Sequence, residues 1–173
     1  GDVVTGDFGE SLYHHRNPLD LIKDRLPATA QLAGIAFCWA IVVGIPLGVL
    51  SAVKRGSFPD YFARWFALLG QAMPVFWVAL MAILIFSVEL GWFPTSRKSG
   101  PDSYVLPALT LGWLPAAALL RITRGSMLEV LDSEYIKLAR AKGVSPMKVI
   151  WKHAFRNALI APITLAAIII ASF

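Results

Sequence analysis

An all-α, polytopic transmembrane helix bundle is the fold class that this sequence predicts, and three observations carry the prediction. Hydrophobic residues make up 57 % of the 173 residues and charged residues only 16 %, with a mean hydropathy of +0.63, which excludes an ordinary water-soluble domain. Three long stretches, Pro27 to Val53, Trp65 to Val88 and Ser103 to Leu120, hold no acid or base. Each approaches the roughly 20 residues that a helix needs to cross about 30 Å of hydrocarbon. A charge at the centre of a span costs about 2.5 to 3.5 kcal/mol, so this pattern is what lipid selects, rather than burial in a large soluble protein. The remaining charge is sorted along the chain: residues 54–64 carry net +2 and residues 121–156 net +5, whereas residues 1–31 carry net −2 and residues 89–102 balance.

Positive segments stay inside, so 54–64 and 121–156 are read as cytoplasmic, and the start and the 89–102 loop as outside. Trp65 at an inner boundary, and Trp92, Phe93 and Tyr104 around the outer loop, agree with this orientation. In chain order, residues 1–26 form an extracytoplasmic segment. There Asn17 and Pro18 suit the N-cap and first position of a short interfacial helix with Leu19, Ile22 and Leu26 on one side. The first span, 27–53, contains Gly44-x-x-x-Gly48, which permits close helix approach, and Pro46, which removes a backbone hydrogen bond. Its one cysteine, Cys38, excludes an internal disulfide, and apolar neighbours predict a buried structural residue. The second span, 65–88, carries Gln71 one turn from Pro74. The amide suits either a pore or a bond to a neighbouring helix, and Pro74 and Pro46, with Gly44 and Gly48, are candidate pathway or hinge positions. After the third span, 103–120, with Pro115, and the long loop, a fourth apolar run with Pro162 occupies 157–173 and reaches the last residue. Because the chain also opens at Gly1 without an initiator Met, it is read as a fragment with something missing at both ends.

The 121–156 loop is too long for a passive connection. Leu128, Leu131, Tyr135 and Leu138 follow helical spacing as one apolar stripe, with Glu134, Lys137 and Arg140 on other faces, which predicts an amphipathic helix. Gly143 supplies a left-handed stop, and Ser145-Pro146 an N-cap and first position for a second helix. On that helix Ile150, Ala154 and Ala158 oppose Lys148, Lys152 and Arg156, and it is expected to run straight into the last span. Inside-positive residues against lipid phosphates explain the basic line without a partner. They do not explain the glycine turn or the first stripe, which needs a docking surface. A DNA-binding helix-turn-helix is disfavoured by tethering to spans at both ends.

The segment Glu134-Tyr135-Ile136-Lys137-Leu138-Ala139-Arg140-Ala141-Lys142-Gly143-Val144-Ser145, followed by His153-Ala154-Phe155-Arg156-Asn157-Ala158-Leu159, resembles the "EAA" loop of permease subunits of binding-protein-dependent ABC importers. Gly6-Asp7-Phe8-Gly9, Arg25-Leu26-Pro27-Ala28-Thr29, Gly44-Ile45-Pro46-Leu47-Gly48 and Leu106-Pro107-Ala108-Leu109-Thr110-Leu111-Gly112 are similar to the dipeptide, oligopeptide and nickel branch of that family. The resemblance implies a type I importer permease fold, with one span before Gly1 and another after the last run. It implies an inner-membrane subunit that pairs with a second homologous permease and rests on two cytoplasmic ATPase subunits, fed by an extracytoplasmic solute-binding protein. Glu134, Tyr135, Lys137, Leu138, Ala139, Arg140, Lys142, Gly143 and Ser145 would then form the ATPase-coupling stretch, with Gly143 at the loop's most characteristic position. Lys137-Leu138 stand where the general motif has Glu-Ala, and Arg156 where it often ends in Pro.

No residue here is expected to be catalytic. No phosphate-loop motif occurs, and none of the 13 glycines precedes a lysine, so ATP and Mg are expected on the partner ATPase and no cofactor on this chain. Metal-ligand and nucleophile signatures are likewise missing, and His14-His15 reads as solvated loop histidines. An ion-coupled secondary transporter or channel is the rival reading. It is opposed by complete spans without a buried Asp, Glu, Lys or His. A membrane-anchored regulator, the other rival, leaves the series of motifs unexplained.

Overall fold

The computed structural model describes residues 18–94 and 100–172 and is all-helical over them. The expected N-cap Asn17, the His14-His15 pair and the Gly6–Gly9 motif lie outside the described residues. Helix α1 spans Pro18–Val53 and α2 Phe58–Ala72. Helix α3 spans Val75–Ala82 and widens into π-helical turns over Ile83–Glu89. A 3₁₀ turn at Pro101–Tyr104 leads into α4, Val105–Leu131. Helix α5 covers Glu134–Ala141. Helix α6, Pro146–Lys148, continues through π-helical turns at Val149–Phe155 into α7, Arg156–Ala158, and α8 covers Ile160–Ser172.

Helices α1 and α4 form the spine, and both are long and apolar enough to cross a membrane. Small residues let them lie close: a Cβ built on Gly44 would sit 2.6 Å from the Ala116 carbonyl oxygen, one on Gly48 2.7 Å from that of Leu120, and one on Gly112 2.6 Å from that of Ala36. Dispersion between closely approaching backbones replaces the hydrophobic drive that lipid does not supply. Ala36, Ala40, Ala116 and Leu119 are completely buried along this seam, and Ala117 is buried against Gly70 of α2. Gly44→Leu is expected to destabilise the pair by about 1 to 3 kcal/mol through overpacking. Gly34→Leu, where an added Cβ meets nothing within 4 Å, serves as the neutral control. Thermal unfolding in detergent reads both, and equal midpoints would remove Gly44 from the seam.

Three sequence expectations are corrected by this architecture. Among the described residues no separate interfacial helix precedes the first span: Pro18 opens one helix that passes through Pro27 and Pro46 to Val53 without interruption. The second span is broken: α2 stops at Ala72, Met73 and Pro74 are extended, and the chain turns by 110° into α3. Proline drives its preceding residue out of the helical region and lacks the N–H that would continue the ladder. Cys38 is exposed, on a side of α1 that none of the other described residues covers. The last span bends too, by 47° between Ala158 and Ile160. Pro162, four residues after Ala158, provides no N–H for the Ala158 carbonyl, and its ring presses against that group. The helix after Gly143 therefore does not run straight into the final apolar run.

Candidate functional site

Helix α5 projects from the end of the α1–α4 spine and is fixed there chiefly by one side chain. Ile136 is completely buried in a cluster with Val49 and Ala52 of α1, Met127 and Leu131 of α4, and Val149, Ala154 and Ala158 of the following segment. Burying a side chain of this size contributes about 1.5 to 3 kcal/mol. Tyr135 adds a polar tie: its hydroxyl accepts a hydrogen bond from Asn157 Nδ2 at 2.9 Å and donates to the His153 carbonyl at 3.4 Å.

Both ends of α5 have defined stops. Ser133 is extended at the N-cap position, and its hydroxyl bonds back to the Val130 carbonyl rather than capping α5. Glu134 lies in the first turn, favourable to the helix dipole, and receives Lys137 Nζ at 2.8 Å. At the far end Gly143 has φ +77°, the left-handed conformation that a Cβ disfavours. The Gly143 N–H reaches the Arg140 carbonyl at 2.9 Å and the Val144 N–H the Ala139 carbonyl at 3.2 Å, which together make a Schellman stop. Ser145 is extended and Pro146 opens the next helix, as the sequence predicts.

This break changes the expected apolar stripe. Leu128 and Leu131 belong to α4, whereas Tyr135 and Leu138 belong to α5 and point outward. Asp132 and Ser133 end the first helix before the stripe can continue, and Ile136 takes the inward position. Of the nine candidate coupling residues, Ala139 is half-buried and the other eight are exposed. Leu138, 56 % exposed, and Met147, 64 % exposed, are apolar side chains set among Lys137, Arg140, Lys142 and Lys148. The arrangement is a short rigid helix, anchored on one side and offering a mixed apolar and basic face on the other.

The candidate pathway residues lie on other elements. Gly44 and Gly48 face α4, as described, and Pro46 is exposed on α1. Gln71 Oε1 accepts a hydrogen bond from Arg121 Nη1 at 2.5 Å, so the amide ties α2 to α4. Pro74 stands at the 110° turn.

A polar cluster that the sequence reading did not find joins these parts. Asp60, 1 % exposed, accepts Ser51 Oγ at 2.6 Å, the Gly56 N–H at 3.0 Å and Arg124 Nε at 2.9 Å. Arg124 Nε also reaches Ser51 Oγ at 2.9 Å, and Arg64 pairs with Asp60 at 3.5 Å. One carboxylate thus pins the end of α1, the turn at Gly56, α2 and α4 together, just beneath the core that holds Ile136. The available signal was an acid at the start of α2 in a segment otherwise basic, with an arginine beyond the charge-free window of α4.

Residues 44–173 match the family described as "Binding-protein-dependent transport system inner membrane component". The chain belongs to this family. Its fold is that of type I ABC importer permeases, and the membrane location read from composition stands with it. The chain is 40 % identical to the glutathione transport system permease protein GsiC of Escherichia coli strain K12, over 95 % of this chain and 54 % of that protein. It is 37 % identical to the dipeptide transport system permease protein DppB of Alkalihalophilus pseudofirmus, over 96 % of this chain and 59 % of the relative. The chain thus spans about half the length of the curated relatives it matches. The seam glycine Gly44, the Asp60 cluster and the whole of α5 fall within the family match.

Proposed function

We propose that this chain is part of the membrane-spanning permease subunit of an ATP-driven importer for short peptides or a related small solute such as glutathione. The observation that supports it best is α5: an anchored helix with an outward apolar and basic face, ended by a left-handed glycine, in a chain of the importer permease family. The face of α5 is exposed to the cytoplasm and docks on an ATPase subunit, with Leu138 and Tyr135 as apolar contacts and Lys137, Arg140 and Lys142 as charged ones. ATP and Mg belong to that ATPase, and this chain catalyses no reaction. Two ATPase subunits, a second homologous permease and an extracytoplasmic solute-binding protein complete the assembly. ATP-driven closure moves α5, and its link through Ile136 to α1 and α4 carries the motion into the spans, whose bend at Pro74 supplies a hinge.

Gly143→Trp is expected to abolish transport-coupled ATP hydrolysis while leaving membrane insertion intact, because a bulky side chain at φ +77° forces the end of α5 to rearrange. Coupling at the wild-type level in this variant would defeat the docking assignment. Purifying the full-length protein from native membranes in mild detergent, with mass spectrometry of what accompanies it, tests the assembly. An ATPase bearing a phosphate loop, with a second permease, supports the importer. A homo-oligomer without one overturns it in favour of a secondary transporter.

A further inference from the structure

Arg64, Arg121 and Arg124 meet at one groove of about 380 Å³ between α2 and α4, walled on its apolar side by Ala67, Leu68 and Leu120. Among the described residues, Asp60 is the only carboxylate in an ion pair with any of the three. Asp60 is already engaged by Ser51, Gly56 and Arg124, and Arg64 reaches it only at 3.5 Å, stacking instead over the Tyr61 ring at 4.6 Å. Arg121 donates to the neutral amide of Gln71. Three cations thus face one anion, beside hydrocarbon side chains and at the edge of a membrane span, where uncompensated charge is costly. The rim of the same face exposes Tyr61, Trp65 and Leu68, and tyrosine and tryptophan settle at headgroup level.

We propose that this groove binds the phosphate headgroup of an anionic phospholipid, with Arg121 and Arg64 on the phosphate and an acyl chain along Leu68 and Leu120. A guanidinium matches phosphate through two parallel N–H donors, and basic pockets between spans suit such headgroups. The apolar wall and the exposed aromatics favour a lipid over a free anion, which would have no use for either. This inference rests on the membrane-spanning reading and not on the importer's substrate or on docking by α5.

The test is native mass spectrometry of the full-length protein in its complex, exposed in mild detergent to phosphatidylglycerol or to phosphatidylcholine with the same acyl chains. Wild type is expected to retain phosphatidylglycerol preferentially. Arg121→Gln is expected to weaken that retention about fivefold, and the double variant with Arg64→Gln about twenty-fivefold. Arg121→Lys, which keeps the charge, should retain most of it. Lys23→Gln with Arg25→Gln, exposed basic positions near the start of α1 and outside the groove, should leave it unchanged. Equal retention of the two lipids, wild-type retention in Arg121→Gln, or the same loss in the Lys23 and Arg25 control would overturn the proposal. So would displacement of the lipid by millimolar inorganic phosphate, which would make the groove a site for a small soluble anion.

Discussion

Arg124→Ala is expected to lower the stability of the folded protein by about 3 to 5 kcal/mol, the loss typical when one partner of a buried ion pair is removed. Asp60 is left 1 % exposed with a full charge and only Ser51 Oγ, the Gly56 N–H and a distant Arg64 to face it. The damage extends beyond the pair, because the same carboxylate fixes the turn between α1 and α2 against α4. Arg124→Lys should fall between, keeping the charge but losing the forked contact that spans Ser51 and both Asp60 oxygens. Replacing both members, Asp60→Leu with Arg124→Met, should recover much of the loss, since no charge is then stranded. Thermal unfolding in detergent, scored with the yield of monodisperse protein, measures the series. A wild-type midpoint in Arg124→Ala would show that the cluster does not hold these helices.

A signed sum of charge over segments orients spans but counts Asp60 and Arg124 only toward the inside total, and their pairing across 64 positions leaves no local pattern in the sequence. What was legible depended on short-range rules. The long apolar helices α1 and α4 coincide with two of the uncharged windows, and the Gly143 stop and Pro146 start follow from backbone preferences that act within one turn. Gly44 and Gly48 announced close packing, though only the structure supplies Ala116 and Leu120 as what they pack against. The stripe through Leu128, Leu131, Tyr135 and Leu138 failed because helical periodicity was carried across Asp132-Ser133. After that break the phase resets, so Ile136 turns inward and Leu138 outward. Cys38 was misplaced for a related reason: in a span, apolar neighbours mark lipid-facing positions as readily as buried ones.

If the proposed importer and its docking on α5 hold, Leu138→Asp and Ile136→Ala should uncouple it in two distinguishable ways. Among the described residues Leu138 belongs to none of the buried cores and is 56 % exposed, so an aspartate there leaves the permease fold intact. In the proposed docking it places a charge at the centre of an apolar contact, where hot-spot substitutions cost about 2 kcal/mol or more, at least thirtyfold in affinity. The ATPase should then be lost during purification, and uptake into proteoliposomes with it. Ile136 faces the opposite way, into the cluster of Val49, Met127, Leu131 and Val149. Truncating it leaves the outer face of α5 unchanged but opens a cavity costing about 2 to 5 kcal/mol. The ATPase should still bind Ile136→Ala, yet its closure would move a loosened α5 instead of α1 and α4, giving ATP hydrolysis without uptake. Measuring bound ATPase, hydrolysis rate and uptake on the same preparations separates the two. Retention of the ATPase by Leu138→Asp would move the docking face elsewhere, whereas uptake by Ile136→Ala at the wild-type ratio to hydrolysis would mean that the motion reaches the spans by a route other than this side chain.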